Sequence, residues 1–316
     1  MGAARAQTGG AQGVRIASLL PSATDIVCEL GLAGSLVGVS HSCDAPEVAG
    51  LPRLTRTRVP VGSNSRTIDS AVREAVAQGI SLYEIDSERL GALAPDLVLT
   101  QNLCDVCAVG EAEVTGALEA ACLAPAVLRL GPTTLAEAWE TIREIGRATG
   151  RSREADALVS GLDARVATVT AAVAAVPYRL RVALLEWIDP PIAGGHWNPE
   201  LIALAGGCDV LGTQGTPSRT ITWEEVAASQ PDLICIACCG YTATQARSDL
   251  QFLRQNDSMR DLPCVREGRI AVFDGVRLFS RPGPRLAESS ERLAAALHPQ
   301  RFGASAASSP TLSGIT

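Results

Sequence analysis

Two thiol clusters carry the most reactive side chains of this chain. Thr100-Gln-Asn-Leu-Cys104-Asp-Val-Cys107 sets a Cys-x-x-Cys pair directly after an apolar run. That spacing serves thiol–disulfide exchange, half of a tetrahedral zinc site, or thiolate ligation of a soft metal. Ala108 stands where a c-type haem attachment needs His, which removes that use. The second cluster is Cys235-Ile-Ala-Cys238-Cys239-Gly240. Cys104, Cys107 and Cys239 are therefore candidate metal or redox ligands. Cys28, Cys122, Cys208 and Cys235 read as small buried hydrophobes. His41 and Cys43 lie on another loop expected to reach the same place.

Aromatic residues make up only 3% of the sequence, so their clustering carries information. Trp187 and Trp197 bracket a loop that contains Asp189-Pro-Pro191 and His196. Phe279 and Arg281 precede the last helix. Trp side chains give wide contact area at low entropic cost, so Trp187, Trp197 and Phe279 are expected to form a platform for a large flat ligand. The planar fork of Arg281 suits amide or phosphate groups of such a ligand.

All 27 basic residues are Arg, against 34 acidic ones, for a net charge of -7. Without Lys there is neither Schiff-base chemistry nor a P-loop lysine. The acidic balance argues against a nucleic-acid binder. Only three His are present, and G-x-G-x-x-G, G-x-S-x-G and H-E-x-x-H do not occur. No enzyme chemistry is therefore expected. No run of about 18 uncharged apolar residues occurs, so no membrane span is expected. Residues 1–14 lack the apolar core of a secretory signal, which reads as cytoplasmic as written, or as periplasmic or cell-surface if the N-terminus is incomplete.

The 316 residues suffice for about two domains at ~150 residues each. Elements that alternate strand, helix, strand place the chain in the α/β class. The expected division is a tail over 1–13, an α/β lobe over 14–132, a connecting helical segment over 133–177, a second α/β lobe over 178–302, and a tail over 303–316. Apolar residues Leu135, Trp139, Ile142 and Ile145 recur at helical spacing, and the run from Arg153 to Val176 reads as one stiff helix between lobes. Ser22 or Thr24 is the expected cap of the first helix, and Asn198 the cap of a later one. Glu88 followed by Pro95-Asp96-Leu97 matches Glu224 followed by Pro231-Asp232-Leu233. This internal repeat implies two similar lobes whose strand ends face a common cleft, where ligands of open α/β sheets bind.

The opening Arg15-Ile-Ala-Ser-Leu-Leu-Pro-Ser-Ala-Thr-Asp-Ile-Val-Cys-Glu-Leu-Gly31, with Leu36-Val-Gly-Val-Ser40 and Cys43-Asp-Ala-Pro46, resembles cobalamin-type substrate-binding proteins of the helical-backbone metal receptor superfamily. The two repeats and the Asp-Pro-Pro loop are similar to it too, over about residues 14 to 300. The resemblance implies two Rossmann-like lobes joined by a long rigid helix, with cobalamin or a related corrinoid between them. It also implies that Glu88 and Glu224 dock on Arg residues of ABC importer membrane subunits. An insertion over about residues 55–82 departs from the pattern, and His41-Ser-Cys43 replaces an aromatic. Two classes stay open: a corrinoid binder, and a thiol-dependent metal or redox protein using Cys104, Cys107 and Cys239. Siderophore and haem binding belong to the same superfamily, but few cationic groups are expected in the cleft.

Overall fold

The computed structural model describes residues 13–60, 62–102 and 109–302. Cys104, Cys107 and both expected tails apart from Gly13 lie outside the described residues. Strand β1 (Ile16–Ser18) leads into α1 (Pro21–Glu29), and β2 (Leu36–Val39) pairs parallel to β1. Next, β3 (Thr55–Thr57) and β4 (Tyr83–Ile85) pair antiparallel on either side of α2 (Ser65–Ala77) in the sequence. Then α3 (Ser87–Leu93), β5 (Leu97–Gln101), α4 (Glu111–Ala120) and β6 (Ala126–Leu130) complete a parallel sheet ordered β2-β1-β5-β6.

The connecting segment is two helices, α5 (Leu135–Ala148) and α6 (Ser152–Val173). Thr134 and Glu137 form a capping box at the start of α5, and Gly150 turns the chain after it with φ of 72°. The 22 residues of α6 span about 33 Å at ~1.5 Å per residue. The connector is not a free-standing strut. Ile142 and Ile145 of α5 and Val159 and Leu162 of α6 belong to one apolar cluster with Ile16, Leu97, Leu184 and Leu233 from both sheets. The expected helical run also stops short of Val176.

The second half contains β7 (Leu180–Ile188), β8 (Pro191–Ala193), α7 (Asn198–Leu204), β9 (Gly207–Asp209), β10 (Arg219–Thr220) and α8 (Trp223–Ala228). It continues through β11 (Leu233–Ile236), α9 (Ala243–Ser248), α10 (Gln251–Gln255), α11 (Pro263–Arg266) and β12 (Ile270–Val272). A π-helical turn over Gly275–Phe279, then α12 (Leu286–Leu297) and α13 (Pro299–Phe302), close the described chain. Strands β9, β7, β11 and β12 are parallel neighbours in that order, while β8 and β10 add antiparallel pairs at the outer half of β7. The order β9-β7-β11-β12 repeats β2-β1-β5-β6. The molecule is an α/β protein with two Rossmann-like sheets.

The internal repeat has a backbone cause. Asp96 Oδ2 accepts a hydrogen bond from Arg15 N at 2.9 Å, and Asp232 Oδ2 accepts one from Arg181 N at 2.8 Å. In return the arginine side chains donate to the last turns of the preceding helices, Arg15 to Leu93 O at 2.7 Å and Arg181 to Ser229 O at 2.7 Å. Ala94 (φ 39°) and Gln230 (φ 46°) take the left-handed conformation just before each Pro, which ends the helix and turns the chain into the strand. The same staple therefore starts β5 beside β1 and β11 beside β7.

Two expected caps differ. The N-cap of α1 is Leu20, with no side-chain cap, and Pro21 opens the helix. Thr24 lies inside α1, where its hydroxyl bonds Leu20 O and Ser18 Oγ. Asn198 is the first residue of α7 rather than its cap, and its amide donates to Glu186 Oε1 at 2.7 Å.

Candidate functional site

Ligand sites in open α/β sheets lie beyond the carboxyl ends of strands. Here the loops after those ends meet at the junction of the two lobes. Arg281, in the loop after β12, is 5% exposed. Its Nη1 lies 2.6 Å from Asp44 Oδ1 and 3.6 Å from Asp25 Oδ2, and its Nη2 donates to Ser42 O at 3.2 Å. Arg285 Nε adds a second cation 3.3 Å from Asp25 Oδ2. Burial raises the Asp25 carboxyl above its ordinary range, and Arg281 and Arg285 offset only part of that. Burial acts upward on Asp44 too, but the hydrogen bond and charge of Arg281, with the charge of Arg277, hold it below its ordinary value. Arg281 is thus a tie between the lobes. Its fork is already engaged, which leaves it unsuited to the ligand contact expected of it.

A second crossing comes from the insertion. Tyr241 Oη donates to Ser63 O at 2.8 Å, Trp187 Nε1 donates to Ser65 O at 3.3 Å, and Ser65 N donates to Asp249 Oδ2 at 3.1 Å. Arg66 Nε donates to Asp189 Oδ2 at 2.7 Å, and its guanidinium lies over the Phe252 ring. Ile68 packs against the apolar cluster of the second lobe. Residues 63–68 therefore form a strap from the first lobe onto the strand-end loops of the second.

The aromatic platform is not present. Trp187 is 8% exposed and packs on Tyr241 with ring centroids 5.0 Å apart. Trp197 is buried, with its Nε1 donating to Phe279 O at 3.0 Å. Phe279 is 1% exposed and packs on Phe273. These rings fill the second lobe and brace its loops, because a chain with few aromatics places them where most apolar area is buried. His196 is half-buried with φ of 53° and packs on Trp197, and burial lowers its pKa. His41 lies beside Thr55, Nδ1 to Oγ1 2.7 Å, and beside the Tyr83 ring, so it anchors its loop to β3 and β4. Burial holds His41 below the ordinary histidine value, with Arg53 adding to the effect.

Cys43 is a packing residue. It is buried, with Sγ 3.0 Å from Thr24 Oγ1 and 3.4 Å from Ser40 Oγ, and burial pushes its thiol up. Cys235 and Cys238 are buried in β11 and just after it, and burial keeps both thiols far above the ordinary range. Cys239 is half-buried, and its backbone N donates to Glu186 O at 2.9 Å. Cys28 is half-buried and its thiol is pushed up to about 11 by burial, while Cys122 and Cys208 are exposed rather than buried. Among the described residues no group of three or more His, Cys, Asp and Glu is placed to hold a metal.

A cavity of about 380 Å³ opens beyond the carboxyl end of β12. Its walls carry Phe273 and Leu278, four arginines, Arg247, Arg277, Arg285 and Arg292, and two acids, Asp274 and Glu288. The sequence reading expected few cations here. The four arginines are scattered over 46 residues of sequence, on α9, the π-helical turn and α12, so no local run announces them. Gly275 permits the turn, since a Cβ there would collide with Cys238 O.

Glu88 and Glu224 are both exposed, at the second residue of α3 and of α8, the helices that precede β5 and β11. The Glu224 carboxylate accepts a hydrogen bond from Ser258 Oγ at 3.0 Å.

The sequence pattern of the family described as "Periplasmic binding protein" matches residues 16–276. No protein of curated function matches the chain. Among solved structures, the periplasmic haem-binding protein RhuT of Roseiflexus sp. RS-1 in its apo form is similar at a TM-score of 0.69 and 21% identity, over 91% of this chain and 99% of that one. The periplasmic vitamin B12-binding protein BtuF of Vibrio cholerae is similar at a TM-score of 0.60 and 20% identity, over 90% and 96%. A possible iron-binding, periplasmic solute-binding protein of Staphylococcus epidermidis is similar at 0.68 and 19% identity, over 90% and 98%. At these identities the likeness is one of fold.

Proposed function

The chain belongs to the periplasmic binding protein family, and we propose that it captures a metal-bearing macrocycle or chelate between its lobes and hands it to the membrane subunits of an ABC importer. The family is one of solute-binding proteins rather than enzymes. The observation that carries this reading is the duplicated sheet, β2-β1-β5-β6 and β9-β7-β11-β12, whose strand-end loops converge on one junction. A corrinoid is the first ligand to test, on the strength of the opening motif over residues 15–46. Haem and iron chelates follow, because the similar structures are described as binding B12, haem or iron. Delivery to an importer places the working protein in the periplasm or at the cell surface, and the cytoplasmic expectation finds no support in the family.

Glu88 and Glu224 supply the matched docking points, one per lobe. Among the described residues no helix is long and apolar enough to cross a membrane. The test is a titration of the protein with cobalamin, cobinamide, haemin and ferric citrate. Visible bands and quenching of the total fluorescence of the four Trp are the readouts. Saturable one-to-one binding of one of these ligands is expected, and binding of none of the four removes the reading.

A further inference from the structure

Resting on the ligand-capture reading above, we propose that the arginine-lined cavity beyond β12 is an oxyanion subsite, with Arg247 and Arg277 receiving a phosphodiester or carboxylate limb of the ligand. The four guanidinium groups are not equivalent. Arg285 is paired with Asp25, and Arg292 with Glu288 at 3.1 Å. Arg247 and Arg277 form no ion pair among the described residues. Asp274, which lines the cavity as well, caps the π-helical turn, its Oδ1 accepting the Arg277 backbone N–H at 3.0 Å. The cavity therefore sets four guanidinium groups, two of them without an ion pair among the described residues, against the two lining carboxylates Asp274 and Glu288, in a protein whose net charge is -7.

Position ties this surplus to the junction. Phe273 and Asp274 directly follow β12, and Arg277 is close enough to Asp44 of the other lobe to help lower its pKa. The size fits a limb rather than a whole macrocycle. At about 380 Å³ the cavity lies near the lower end of the ~300–1,000 Å³ range of small-molecule pockets. Phe273 and Leu278 add an apolar wall, so a charged group on a carbon stem suits the space better than a free hydrated ion. Guanidinium forks match planar carboxylates and phosphates through paired hydrogen bonds.

Cobalamin carries a phosphodiester in its nucleotide loop, haemin carries two carboxylates, and cobinamide lacks both, so the three ligands separate the sources. The full chain and its Arg247→Gln/Arg277→Gln variant are titrated with each, and melting temperature is followed with inorganic phosphate and citrate. Wild type is expected to favour cobalamin or haemin over cobinamide by tenfold or more. The double variant should lose that preference and keep its cobinamide affinity. Loss for cobalamin alone assigns a phosphodiester limb, and loss for haemin alone a carboxylate limb. Equal binding of cobalamin, haemin and cobinamide by wild type and variant overturns the subsite while leaving ligand capture standing. If no chelate binds, but phosphate or citrate raises the melting temperature of wild type and not of the variant, the subsite holds and the capture reading falls.

Discussion

Replacing Arg281 with Ala would remove a guanidinium that is 5% exposed and leave Asp25, itself 7% exposed, with Arg285 as its remaining cation. Removing one partner of a buried ion pair costs about 3–5 kcal/mol, so Arg281→Ala is expected to lower unfolding stability by about 3 kcal/mol in a urea titration. A loss under about 1 kcal/mol, the range of exposed pairs, would show that the tie carries little. The three histidines set a pH dependence. Burial holds His41, His196 and His298 below the ordinary 6.5. Between those depressed values and 6.5 the unfolded chain binds more protons than the folded one, so stability rises with pH there. Their contribution is complete above 6.5 and is lost as pH falls through the folded values. Asp25, Glu186 and Asp209 act oppositely, since burial raises their carboxyls and protonation favours the fold as pH drops. A variant with all three His changed to Gln isolates the first effect. Its melting temperature should fall less than that of wild type between about pH 7.5 and 5.5, and equal falls would remove the histidines as its cause.

At the scale of elements, the repeated Arg–Asp staple makes a paired test. Hydrogen bonds to charged groups contribute about 1.5–3 kcal/mol, and Asp96→Ala and Asp232→Ala should each cost about 1–2 kcal/mol because both sites reach solvent. Similar costs in the two lobes are expected, and a cost in one lobe only would end the equivalence. The Pro-Asp-Leu repeat was legible in the sequence because it acts locally, ending a helix and starting a strand within four residues, whereas its partners Arg15 and Arg181, 81 and 51 residues away, were not. The two helices that carry Glu88 and Glu224 were legible for the same reason. The strap was not, since Ser65 N and Asp249 Oδ2 are 184 residues apart in the chain. Nothing near Ser65 signals its partner. Scarcity of aromatics also misled, because Trp187 near the end of β7, Trp197 before α7 and Phe279 in the π-helical turn are all buried in packing. Cys104, Cys107 and Cys239 were read as ligands from spacing alone; the first two lie outside the described residues, while Cys235 is buried as read and burial makes Cys43 a poor thiolate. The strap itself is testable through Tyr241→Phe, which removes the hydrogen bond to Ser63 O. A buried hydrogen bond contributes about 1 kcal/mol, so amide exchange over residues 65–77 should quicken about fivefold. Unchanged exchange would mean that the remaining contacts hold the strap without Tyr241.

Across the whole molecule, duplication turns two single residues into a pair with a defined relation. Glu88 and Glu224 occupy the same turn of equivalent helices, and each helix is locked to its sheet by the same staple. The sheets share one apolar cluster through α5, α6 and α12, so the two carboxylates are carried on a continuous body. An importer whose membrane subunits present an Arg each would be bridged by both at once. Two weak exposed ion pairs then act as one bivalent contact, stronger than either alone through effective concentration. Charge reversal is the sharp test, because like charges facing each other repel where a neutral change would only lose attraction. Glu88→Arg and Glu224→Arg are each expected to weaken importer binding tenfold or more, and to make the residual binding less sensitive to salt. Ligand affinity should be unchanged in both, since neither residue lines the cavity. Glu119→Arg, on an exposed position of α4, is the control for a change of net charge alone. Full importer binding by the Glu88→Arg/Glu224→Arg double variant, or an equal loss in the Glu119→Arg control, would place docking elsewhere on the surface.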